Sequence, residues 1–110
     1  MTIRVRVKMS SCGNTSDISV SGTIDGRFIV MMNDTTCEKA KSFVGGIRYL
    51  TPDDLIDKKK SKVFRNFIDS EMSANCLVPS GVLTAAWAEA GMIAPSARKK
   101  GEPSFVEFIN

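Results

Sequence analysis

Three cysteines in a chain without histidine set the chemistry open to this protein. Cys12 follows two serines and precedes Gly13. Cys37 lies in Asp34-Thr35-Thr36-Cys37-Glu38, and Cys76 in Asn75-Cys76-Leu77-Val78-Pro79. A thiolate, the reactive and metal-binding form of cysteine, is favoured beside cationic groups and helix N-termini. Without histidine no Ser-His or Cys-His couple can exist, nor a mixed Cys/His zinc site. Three thiolates on their own suit a soft metal, an iron–sulfur cluster or zinc. In that case Cys12, Cys37 and Cys76 are both cofactor-binding and metal-ligating residues. The fourth position would fall to Asp34, Glu38, a second subunit or an external ligand. No Cys-x-x-Cys pair is present and the cysteines are widely spaced. Free cysteine also packs readily as a small buried hydrophobe.

For that chemistry to exist, folding must bring three distant segments together. Residues Thr2 to Met9 alternate, with Ile3, Val5, Val7 and Met9 on one face and Thr2, Arg4, Arg6 and Lys8 on the other. A period of two predicts a half-buried strand. Gly13-Asn14 marks a turn, and Asp17 to Thr23 reads as a second strand. Asp25-Gly26 suits a tight two-residue hairpin turn into a third strand over Arg27 to Met32. Thr35 and Glu38 have the spacing of a capping box, which puts Cys37 in the first turn of a helix ending at Gly45-Gly46. Thr51-Pro52-Asp53-Asp54 starts a short helix, with Thr51 as cap and proline at its first position. Val63, Phe64, Phe67, Ile68 and Met72 predict the buried stripe of a helix over residues 61–72.

The last long helix starts near Pro79. Val82, Leu83, Ala86, Trp87 and Ala90 line its apolar face, and Gly91 caps it in the left-handed conformation. Cys76 precedes it, with its sulfur free to point at the positive end. After a loop from Pro95 to Pro103, Phe105, Val106, Phe108 and Ile109 predict a terminal strand over residues 104–109. The expected fold is therefore α+β, one domain over residues 1–110. It has a small antiparallel sheet of about four strands, three N-terminal and one C-terminal, with three to four helices on one face.

Composition narrows the function classes. An apolar fraction of 43% and a charged fraction of 25% are those of a globular domain. The longest apolar runs are too short to span a bilayer, and no signal peptide is read, so a cytoplasmic location with reduced thiols is expected. A net charge of +3 with two short basic clusters, Lys58-Lys59-Lys60 and Arg98-Lys99-Lys100, does not predict nucleic-acid binding. A protein partner or self-association is compatible with a domain of this size.

The strand running into Cys12-Gly13, Thr36-Cys37 before a helix, and Cys76-Leu77-Val78-Pro79-Ser80 leading to Glu89-Ala90-Gly91-Met92-Ile93-Ala94-Pro95 together form a pattern. It resembles a group of small uncharacterised proteins of methanogenic archaea and some anaerobic bacteria. The chain departs from the group at Leu77, where a proline is expected, and near Thr84, where a lysine is usual. The resemblance implies no activity. It implies that the three cysteine positions belong together, in a setting that suits an oxygen-sensitive cluster.

The expected function is a small cytoplasmic metal- or iron–sulfur-binding module for electron transfer, cluster handling or ligand binding. Two alternatives stand beside it. One is a cofactor-free structural or interaction protein with packed thiols, the other a thiol-dependent enzyme using Cys76 as nucleophile.

Overall fold

A computed structural model describes residues 1–110. The chain forms β1 (Thr2–Met9), β2 (Asn14–Gly22), β3 (Phe28–Thr35), α1 (Glu38–Gly46), β4 (Tyr49–Leu50), α2 (Pro52–Ile56), α3 (Lys62–Asp69), α4 (Val78–Glu89) and α5 (Pro95–Lys100). The strands make one antiparallel sheet in the order β1-β2-β3-β4. The fold is α+β, as the sequence predicts.

Alternation fixes which face of the sheet is covered. Ile3, Val5 and Val7 stand opposite Val20, Ile18 and Ser16, and Val20 stands opposite Val30. Against this face lie α4, over β1 and β2, and α1, over β3. Together the strands and helices close one core that includes Ile18, Val20, Val30, Ile47, Leu50, Val63 and Val82. The other face is wet, as is usual for an antiparallel sheet. It carries Arg4, Arg6, Asp17 and Met31, and the Arg6 guanidinium pairs with Asp17 at 2.7 Å. Tyr49 lies on the same face opposite Ile29, with the Arg27 and Arg48 guanidiniums 5.4 and 6.0 Å from its ring centre.

Several local expectations change. The fourth strand is Tyr49–Leu50 beside β3, and not the C-terminal segment. Residues 102–110 form no regular element, and Phe105, Val106, Phe108 and Ile109 are exposed. The helices number five, because α5 forms where a loop is expected. The β2–β3 connection is longer than a two-residue turn; only Gly26 takes a positive φ, 85°. In β3 one extra residue forms a bulge, since Ile18 pairs with Met32 and Asp17 with Asp34, leaving Asn33 unpaired.

Helix α3 ends at Asp69, three residues before Met72, and Ile68 is exposed on it. The buried face of α4 comprises Val78, Pro79, Val82, Ala85 and Ala86. Trp87 lies at its margin, where Nε1 donates to the Leu55 carbonyl at 2.9 Å and ties α4 to α2. Gly91 takes the left-handed conformation after α4, at φ 78°, as expected.

Candidate thiolate site

All three cysteines occur where one element gives way to the next, and those junctions share one end of the sheet. Cys12 lies in the β1–β2 turn, closed by the Gly13 N–H donating to the Met9 carbonyl at 2.7 Å. Gly13 takes φ 73° there, a conformation that glycine adopts at no steric cost. Asn14 pairs with Met9 at the close of the hairpin, and its Nδ2 donates to the Cys12 Sγ at 3.3 Å.

The same Asn14 reaches the second junction, because its Oδ1 accepts from the Thr36 hydroxyl at 2.9 Å. Thr36 is held in turn by the Thr15 N–H, which donates to its Oγ1 at 3.0 Å. Cys37 is next in the chain and is the N-cap residue of α1, with φ −116° and ψ 112°. The expected capping box is not formed. Thr35 instead turns its hydroxyl toward the Cys37 N–H at 3.0 Å and toward Ser16 at 2.8 Å. Cys37 therefore stands one position before the helix, at its positive end, and not inside the first turn.

The third segment crosses the same end between α3 and α4. Its Leu77 N–H donates to the Met9 Sδ at 3.4 Å, which fixes the loop against the last residue of β1. Cys76 lies just before α4, and the Val78 N–H in the first turn of that helix donates to its Sγ at 3.5 Å. That contact is the helix-end placement the sequence predicts. The Cys76 Sγ also meets the Met72 Sδ at 3.8 Å.

The electrostatics of Cys76 differ from expectation. Burial pushes its thiol above the ordinary cysteine value. The Val78 N–H opposes that rise, while like charge at Cys37 and Cys12 adds to it. Desolvation therefore outweighs the helix end. The three cysteines nonetheless share one end of the sheet, through the contacts of Asn14, Thr36 and Met9. They do not gather tightly: no three Cys, Asp or Glu groups stand close enough together to hold a metal ion.

Asp34 and Glu38, the expected candidates for a fourth ligand, are exposed. Asp34 pairs with Asp17 on β2, and its charge acts on Arg6. All three cysteines are free thiols, Cys12 exposed and the other two half-buried. A polar cleft of about 300 Å³ lies elsewhere, between α1 and α3, lined by Lys39, Asn66, Asp69 and Glu71 among others, and no cysteine lines it.

Exposure and desolvation together order the thiols. Iodoacetamide at pH 7 should label Cys12 first and Cys76 last, about tenfold more slowly. Peptide mass spectrometry over a time course reads that order. Fastest labelling at Cys76 would contradict the account of its burial.

Two further sulfurs stand at this end, those of Met9 and Met72, which the sequence pattern places only on a strand and in a helical stripe. A signal for Met72 was present, since it is the one large apolar residue in Ser70-Glu71-Met72-Ser73-Ala74-Asn75, four positions before Cys76.

A family model described as "Family of unknown function (DUF6951)" matches residues 3–100, so the chain belongs to that family. No curated protein and no solved structure matches it.

Proposed function

We propose that this member of a family without an assigned activity is a small cytoplasmic metal-binding module whose centre is held by Cys12, Cys37 and Cys76. One observation carries the reading. Three segments far apart in sequence each deliver a cysteine to the same end of the sheet, two of them at the starts of α1 and α4. Helix starts offset the negative charge that bound thiolates bring. The occupants that suit three thiolates are an iron–sulfur cluster or zinc. The roles that fit a site on a small domain are electron transfer, cluster handling or ligand binding.

Closing the site requires the cysteines to move, because they do not stand at ligand spacing as they are. Cys12 is exposed and lies in a short glycine turn, so it has the most room to rotate. Metal binding also removes the thiol protons, which takes away the need to keep Cys76 neutral.

The test is metal analysis of reduced protein purified without oxygen. About one centre per chain is expected, and each of Cys12→Ser, Cys37→Ser and Cys76→Ser should lower metal content about tenfold or more. A wild-type protein free of stoichiometric metal under those conditions would sink the proposal.

A second reading has its own support. Cys37 and Cys76 pack against the hydrophobic core, as thiols do in a cofactor-free interaction protein. It predicts metal-free protein and Cys→Ser variants that differ only in stability. The nucleophile reading for Cys76 is weakened by the raised thiol, which lowers the thiolate fraction at neutral pH.

A further inference from the structure

We propose that residues 104–109 add as a strand to the free edge of β1 in a second copy of this chain, so that two copies exchange these segments. Two unpartnered features carry the inference. β1 stands at the end of the sheet order and bonds on one side only, to β2. Beyond that pairing, its main chain takes part only in the turn bond from Gly13 to Met9, so its outer edge keeps a row of unpaired amides and carbonyls. Residues 102–110 meanwhile form no regular element, and Phe105, Val106, Phe108 and Ile109 are between 69% and 93% exposed. All four residue types favour strands.

Charge matches the two features. On the wet face of β1, Arg6 is taken by Asp17, whereas Arg4 and Lys8 form no ion pair. Glu102 and Glu107 form none either. One antiparallel register meets both charge and burial. With Glu107 opposite Arg4, Phe105 stands opposite Arg6 on the wet face, and Glu102 falls at the Lys8 end. Val106 then stands opposite Val5 and Phe108 opposite Ile3 on the core face. Val5 is the one core-facing residue of β1 left half-buried, so a neighbour there completes its cover. A slip of one residue would turn Glu107 toward the core.

Direction selects a second copy over the same chain. α4 ends beside Met1, whose nitrogen lies 3.7 Å from the Glu89 carboxylate. α5 and the segment after it therefore set out from the end of the sheet at which β1 begins. Along its own β1 that segment would run parallel, a weaker pairing and the only one of its kind in this sheet. Along the β1 of a second copy it can run antiparallel, and a two-fold axis then makes the two exchanges identical and closes the assembly at two.

The test is sedimentation equilibrium of the full-length protein over a concentration series, which should find a dimer. Arg4→Glu and Glu107→Arg should each weaken it about tenfold or more, because like charges then stand opposite each other at two symmetric places. Combining the two substitutions should restore most of the loss. Phe108→Ser should weaken the dimer as well, yet leave the melt of the dilute monomer within a few degrees of wild type, since Phe108 is exposed in the single chain. Isotope-filtered NMR of mixed labelled and unlabelled protein should find Phe108 of one copy against Ile3 of the other.

Wild type that stays monomeric would overturn the proposal, whether residues 104–109 exchange their amide hydrogens freely or are protected on β1 of their own chain. A dimer indifferent to all three substitutions would place the interface elsewhere and overturn it too. A double variant no tighter than either single one would overturn the pairing of Glu107 with Arg4, and assemblies growing past two would overturn the closed exchange.

Discussion

Gly81→Ala should destabilise the protein by about 1–3 kcal/mol, although replacing glycine by alanine inside an exposed helix ordinarily stabilises by about 1 kcal/mol. The reversed sign comes from how closely α4 approaches the sheet. A Cβ at Gly81 would overlap the Cγ2 methyl of Val7 and lie 4.0 Å from the Ile18 Cδ1. Val7 cannot readily give way. It is a β-branched residue in mid-strand, 7% exposed, and it stands opposite Ser16 on β2. To accommodate the methyl, the start of α4 must lift, carrying Val78 and the Cys76 turn with it.

Urea melts of the single and double variants test this. Val7→Ala removes the clashing methyl, so Gly81→Ala with Val7→Ala should be no less stable than Val7→Ala alone. Measured coupling between the two sites should therefore be large and favourable. A Gly81→Ala protein as stable as wild type would show that the helix does not sit this close.

Asp54→Ala should cost about 3 kcal/mol, far more than the same change at its exposed neighbour Asp53. Asp54 is only 6% exposed. Its Oδ2 accepts from the Thr51 N–H at 2.8 Å and the Thr51 hydroxyl at 3.1 Å, and its Oδ1 accepts from the Lys62 N–H at 3.0 Å. One carboxylate thus caps the starts of both α2 and α3. Its main-chain carbonyl also accepts from the Ser61 hydroxyl at 2.6 Å, and the Ser61 Oγ in turn accepts from the Val63 N–H at 3.2 Å.

Truncation to alanine leaves the Thr51 and Lys62 amides without their partner at a part-buried corner. Asp54→Asn keeps one accepting oxygen and turns an amide toward a donor, so a loss of about half that size is expected. Denaturant unfolding of Asp53→Ala, Asp54→Ala and Asp54→Asn ranks the three. An Asp54→Ala protein within about 0.5 kcal/mol of Asp53→Ala would remove the carboxylate from this role.

The sequence made some of this legible and left the rest hidden, for physical reasons. Alternation in β1 is a strictly local signal, and so is the Thr51-Pro52 start of α2; both are found in the structure. The C-terminal strand fails because Phe105, Val106, Phe108 and Ile109 have strand propensity but pair with no strand of their own chain. Propensity of this kind measures fit to a half-buried pleated surface, and only chain topology supplies one. The short turn after α1 delivers Tyr49 and Leu50 to the free edge of β3 first.

On α4 the large apolar residues Leu83 and Trp87 mislead. The helix packs so closely at Gly81 that the small Ala85 and Ala86 face the sheet, while Trp87 is 39% exposed. Likewise, Asp54 was legible as an acid at a helix start, but its reach to Lys62 depends on a corner that no local pattern encodes.

The cysteines divide in the same way. That each stands at an element junction could be read, since the glycine, threonine and proline residues around them punctuate the chain. That the junctions share one end follows from strand order and from α4 running antiparallel to β1. The spacing between sulfurs, and the inward turn of Met72, are set by loop conformation. They leave only a faint mark in composition.

Ile18, Val20, Val30, Leu50 and Val82 fill one interior between sheet and helices, and none of the three cysteines is among its fully buried members. Small zinc domains collapse when stripped of metal, since for them ligation and folding are a single event. Here the core is closed by apolar side chains alone, so serine in place of any of the three cysteines is expected to leave the architecture standing.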